Sequence, residues 1–163
     1  MQQYSTRGLP APRKVAWWNA LNSETFAAME ITPRNAASFD GELLREPVGA
    51  LTLLDVRSAA VRIRHTRAHI ERAAVPSYLL LAPLQGDMQL TVDRSTPLMV
   101  HAGEFCLLDH ARPYQLDHGD AVRTLCIDIP RGTLEKLLPV PAARRVTAWM
   151  RAISSSIWNG LVR

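Results

Sequence analysis

Five histidines, two cysteines and a run of three serines are the residues of this chain whose types could do chemistry. His65 and His69 are four apart, a spacing that holds a metal ion when both imidazoles share one helix face. Here His65 closes a strand-like stretch, His69 follows in an Arg-rich connection, and no third ligand stands nearby. His101, His110 and His118 fall on separate strands or turns, so solvent-facing or hydrogen-bonded imidazoles are expected and no metal site. Asp109 and His110 have the composition of an acid–base pair, but neighbours on a strand point to opposite faces. Ser154, Ser155 and Ser156 lack the G-x-S-x-G setting of a nucleophile elbow. No Gly-rich phosphate loop is present. Cys106 and Cys126 lie in apolar, strand-like stretches without a CxxC pair, and read as buried, reduced thiols. The expectation is a protein without catalytic residues or cofactor.

What remains suits binding. Arg62, Arg64, Tyr78 and Tyr114 are the candidate ligand contacts, the few polar groups that a small pocket needs. Arg62 and Arg64 alternate with Val61 and Ile63, so an inward-facing apolar set would turn both arginines to solvent.

The elements that must position these residues follow from the apolar period. Pro10 to Pro33 reads as a helix between breakers, with Val15, Trp18, Leu21 and Met29 near helical spacing and a possible break at Ser23–Glu24. From Ser38 the period changes to two. Strands are expected near 38–45, 49–57, 60–66, 77–85, 87–93, 97–101, 104–109, 113–117 and 121–129, with Gly, Pro and Asp turns between them. Met88, Leu90 and Val92 alternate with polar neighbours, as do Leu125, Ile127 and Ile129. After Pro130 the pattern turns helical, with Thr133 as a cap for 134–138. Beyond Pro141, Val146, Met150, Ile153, Ile157 and Leu161 step by three or four, which predicts an amphipathic helix over 144–163. Trp149 and Trp158 flank that stripe, and it is the expected dimerisation surface.

The chain has 163 residues, enough for one domain with a helical appendage. A 47% hydrophobic content supports a core and excludes a disordered chain. The start carries no continuous apolar stretch of a signal peptide. The longest apolar run, Tyr78 to Leu84, is too short to span a bilayer. A cytoplasmic protein with no membrane partner is expected. The net charge of +4 suits work near nucleic acid, but the arginines are scattered along the sequence and read as solvated surface.

A set of short stretches carries a family resemblance: Trp17 to Phe26, Ile31-Thr32-Pro33, Phe39-Asp40-Gly41-Glu42-Leu43, Gly49-Ala50-Leu51, Gly86-Asp87-Met88, His101-Ala102-Gly103-Glu104, Asp109 to Tyr114, and Ile129 to Leu134. In their order and spacing the chain resembles the N-terminal, cupin-like ligand-binding domain of AraC/XylS-type transcriptional regulators. The resemblance covers roughly residues 5–140. It implies a mainly β fold, a cupin-like antiparallel barrel or double-stranded β-helix with an N-terminal helix and C-terminal helices. It implies a sensor domain over 1–140 and a dimerisation or linker helix over 141–163. The implied partners are a small-molecule effector and a second copy of the chain. DNA would be reached only through C-terminal helix-turn-helix units, for which the sequence after Pro141 has no room. The metal pattern of catalytic cupins is departed from: His65 and His69 have the wrong spacing, His101 stands for a turn proline, and Cys106 stands for the later histidine. A small cupin enzyme, or a ligand-binding protein unrelated to transcription, is the alternative.

Overall fold

On the strand over 88–92, Met88, Leu90 and Val92 are buried while Gln89 is exposed, so the period of two in the sequence becomes an inner and an outer face. The computed structural model describes residues 1–72, 77–137 and 151–152. Its elements are β1 (Gln2–Ser5), α1 (Ala11–Thr25), β2 (Glu30–Pro33), β3 (Gly41–Val48), β4 (Leu51–Ser58), β5 (Val61–His65), α2 (Arg67–Ile70), β6 (Ser77–Gln85), β7 (Met88–Val92), β8 (Leu98–Val100), β9 (Glu104–Asp109), β10 (Tyr114–His118), β11 (Val122–Pro130), α3 (Arg131–Leu137) and β12 (Arg151–Ala152). They form two antiparallel sheets, one of seven strands in the order β1-β3-β4-β11-β6-β9-β12 and one of five in the order β2-β5-β10-β7-β8.

The fold is mainly β, as expected, but the described strands do not close into a barrel. They make two separate ladders whose inner faces share a core. Leu54 on β4, Leu81 on β6, Leu108 on β9 and Cys126 on β11 face Leu90 on β7 and Leu116 on β10 across that core. Helix α1 supplies Trp18, whose ring meets Phe39 edge-on at 5.9 Å. The ring lies against the backbone of Gly41: a Cβ there would sit 2.9 Å from three of its carbons. Only glycine admits Trp18 at this depth.

The helix expected from Pro10 to Pro33 stops at Thr25, and Glu30–Pro33 is strand β2. Met29 fits helical spacing by residue type, yet β2 pairs Ile31 with Ile63 of β5. Helix and strand are then stitched together. The Asn19 amide accepts from the Ile31 N–H at 2.7 Å and donates to the Ile31 carbonyl at 2.8 Å, as a neighbouring strand would. β1 and α2 stand where no regular element was expected. Helix α3 begins at Arg131, so Thr133 lies inside it and does not cap it. Of the expected helix over 144–163, only Arg151 and Ala152 are described. Both are extended, pairing with Phe105 and Glu104 of β9. The remainder, including Val146, Met150, Ile153, Ile157 and Leu161, lies outside the described residues.

Candidate ligand-binding site between the two sheets

Each strand sends every second side chain between the sheets, and the two sets leave a cavity of about 60 Å³. Its walls are largely aliphatic, with Val61, Ile63 and Leu116 from the five-stranded sheet and Leu79, Leu81 and Leu108 from the seven-stranded one. Trp18, Phe26, Met29 and Ile31 close it from the side of α1 and β2. Among the described residues, no Lys, Arg, Asp or Glu lines it.

The polar groups gather at the two ends. At one end stand Ser58 (last in β4), His118 (last in β10) and Thr124 (in β11). Nδ1 of His118 lies 2.8 Å from the Gly119 carbonyl, which can only accept, so that nitrogen carries the proton. Nε2 is then an acceptor, and Ser58 Oγ, 3.2 Å away, donates to it. Burial lowers the pKa of His118 and keeps the ring neutral. Among the described residues, the Thr124 hydroxyl has only the weak acceptor Met88 Sδ, at 3.7 Å. On α1, the Asn22 amide nitrogen donates to the Trp18 carbonyl at 2.8 Å, which leaves its oxygen to the cavity.

At the other end stands Tyr114. Its ring stacks on His65, with centroids 5.0 Å apart, and on His110, at 6.0 Å. Its hydroxyl takes no hydrogen bond among the described residues, and burial raises its pKa well above the usual tyrosine value. Burial also raises both thiols, Cys106 to about 12 and cavity-lining Cys126 further. The wall formed by the described residues is therefore uncharged at neutral pH.

The imidazoles are engaged by the protein. Both ring nitrogens of His65 meet carbonyl oxygens, Ala28 at 2.8 Å and His110 at 2.9 Å. His69 Nδ1 accepts from the Thr66 N–H at 3.2 Å, and His110 Nδ1 lies 3.0 Å from Ser77 Oγ. Among the described residues, no three His, Cys, Asp or Glu side chains are grouped to hold a metal ion.

Of the four candidate contacts, Tyr114 alone lines the cavity. Arg62 and Arg64 are exposed on the outer face of the five-stranded sheet, where Arg62 is paired with Asp117 at 2.6 Å. Their alternation with inward-facing Val61 puts them there. Tyr78 is fully buried but sits one residue out of step with Leu79 and Leu81. Its hydroxyl accepts from Arg131 Nη1 at 2.8 Å, and the guanidinium lies 4.6 Å over its ring. Arg131 also pairs with Asp109 and, at 3.2 Å, with Glu135. The residues missed from sequence are Asn22, Ser58, His118 and Thr124. Ser58 and His118 carried a readable signal: each is polar in the same parity as an inward-facing apolar set, Ser58 with Leu54 and Val56, His118 with Tyr114 and Leu116. Thr124 carried none, because it alternates with the apolar Leu125, Ile127 and Ile129, yet the buried face of β11 is Val122, Thr124 and Cys126.

Two facing sheets thus flank a cavity whose described lining is uncharged, in a mainly β domain. The chain belongs to the AraC-binding-like domain family, which it matches over residues 18–162. Among solved structures it is similar to the AraC-like transcriptional activator CuxR, at 16% identity and a TM-score of 0.81. That match covers 98% of this chain and 60% of the CuxR chain, so the chain spans about three-fifths of that neighbour's length. The EutQ protein of Clostridium difficile (11% identity, TM-score 0.45, 58% of this chain and 71% of that one) is similar over a part only. So is the Cnp3 cupin domain of Schizosaccharomyces pombe (14%, 0.44, 63% and 74%). No curated protein sequence matches the chain.

Proposed function

We propose that this chain is the effector-sensing part of an AraC-type transcription regulator, and that the inter-sheet cavity receives the effector. One observation carries the reading. Leu79 and Leu108, partners across β6 and β9, both line the cavity, and the next pair along the same ladder is Tyr78 and Asp109. That second pair holds Arg131, the first residue of α3. A ligand that presses on the leucine pair acts one residue away from the grip on the helix that leads into the C-terminal segment. A ligand shifts an equilibrium only through contacts that differ between two states. The arginine grip is a contact able to differ in this way.

The family and the fold of an AraC-like activator support a regulatory role. The described helices support sensing over DNA reading. α1 is packed into the core, and α2 and α3 span four and seven residues, with no helix pair arranged to enter a major groove. Homodimerisation through the apolar residues after Pro141 belongs to the same proposal.

The test is a thermal-shift screen of small uncharged molecules on this chain and on a Thr124→Ile variant that narrows the cavity. Compounds that raise the melting temperature of the parent chain and not of the variant are the expected result. Equal shifts in both proteins would place binding elsewhere and contradict the proposal.

A further inference from the structure

The geometry points to a small, neutral alcohol as the class of ligand this cavity selects, its hydroxyl seated between Ser58 and Thr124. The inference rests on the reading of the cavity as the effector site. Size comes first. A water-sized group needs about 10–15 Å³ of such space, so the cavity of about 60 Å³ admits roughly four to six non-hydrogen atoms. Charge comes second. With no ionised group on the wall among the described residues, a carboxylate or ammonium would be desolvated without a partner, a cost on the order of several kcal/mol.

Hydrogen-bond direction then separates the neutral classes. The proton on His118 Nδ1 is committed to the Gly119 carbonyl, so the Ser58 proton is committed to Nε2. Ser58 Oγ therefore offers the cavity lone pairs and no proton. Thr124 is the complement: among the described residues its proton is held only by Met88 Sδ at 3.7 Å, and a ligand oxygen would take it. Ser58 pairs with Val122 across β4 and β11, which makes Thr124 its diagonal neighbour, about 7 Å away between backbones. One oxygen placed between the two side chains can accept from Thr124 and donate to Ser58. A hydroxyl does both. A ketone or ether oxygen accepts only and leaves Ser58 unmatched, and a hydrocarbon satisfies neither.

The experiment titrates this chain, methyl-labelled for NMR, with four probes of nearly equal size: butan-1-ol, butanone, pentane and butanoate. Shifts of the cavity methyls of Leu79 and Leu116 report occupancy. Butan-1-ol is expected to bind about five- to tenfold tighter than butanone, the worth of one neutral hydrogen bond. Butanoate should not saturate. Ser58→Ala should bring the alcohol down to the level of the ketone, while Ser58→Thr, which keeps the hydroxyl, should retain the preference. Butanone binding as tightly as butan-1-ol, or a preference that survives Ser58→Ala, would overturn the alcohol assignment and leave the cavity reading standing. If none of the neutral probes moves the cavity methyls, the cavity reading fails and the assignment with it. The comparison of probes on the parent chain decides the matter even if a variant folds poorly.

Discussion

His110 shows how a buried residue writes a pH dependence into this molecule. Burial, reinforced by neighbouring His65, lowers its pKa to about 4, and its Nε2 has no hydrogen-bond partner among the described residues. In the unfolded chain the same imidazole takes up a proton near pH 6.5. Between these values the unfolded state binds the extra proton, so stability is full above about pH 6.5 and is lost as the pH falls toward 4. The contribution of His110 is at most about 3 kcal/mol. His118, lowered for the same reason, adds in the same direction, whereas Asp128, raised by burial, opposes it near the carboxylate range. Urea unfolding at pH 7 and at pH 4.5 should show the parent chain losing about 2 kcal/mol more than a His110→Asn variant. Equal losses would mean that His110 is not held neutral by burial. The cavity residues teach a related lesson. Ser58 and His118 were legible as polar residues in the parity of an apolar set, whereas Thr124 alternates with the apolar Leu125, Ile127 and Ile129, and only the opposite sheet settles that it turns inward. Arg62 and Arg64 look suited to a ligand by residue type, and strand parity alone puts them outside.

At the scale of elements, local pattern and tertiary contact divide the work. Strands β6 and β9 run over 77–85 and 104–109, as their apolar runs and flanking turns indicate. Those limits are local and could be read from sequence. The end of α1 could not, because it depends on β5. Ile31, Thr32 and Pro33 become a strand by pairing with Ile63, Arg62 and Val61, thirty residues on. Helix α1 then covers the free edge of β2 through Asn19. Sheet edges left bare invite pairing with other chains. Asn19→Leu removes both bonds to Ile31 and is expected to cost about 1–3 kcal/mol. It should also bring concentration-dependent association, seen by light scattering. Asn19→Asp, which keeps the acceptor, should lose less. Unchanged stability in Asn19→Leu would show that the amide is dispensable to that edge.

At the scale of the whole molecule, composition hid where the charge lies. Lys and Arg balance Asp and Glu through Leu137, and the net charge of +4 comes from Arg144, Arg145, Arg151 and Arg163, in a stretch with no acidic residue. The chain through Leu137 is thus neutral overall, and the excess positive charge follows α3 in the sequence. The proposed sensing role requires occupancy of the cavity to be felt across the Leu79–Leu108 and Tyr78–Asp109 pairs at the start of α3. Hydrogen exchange of this chain, with and without a saturating ligand found in the thermal-shift screen, tests that claim most directly. Peptides covering β6 and β9 should change in protection together with those covering 131–137, and Arg131→Ala should abolish the change at 131–137 while leaving that at β6 and β9. Ligand-dependent protection confined to the strands, with 131–137 unmoved in the parent chain, would contradict the account.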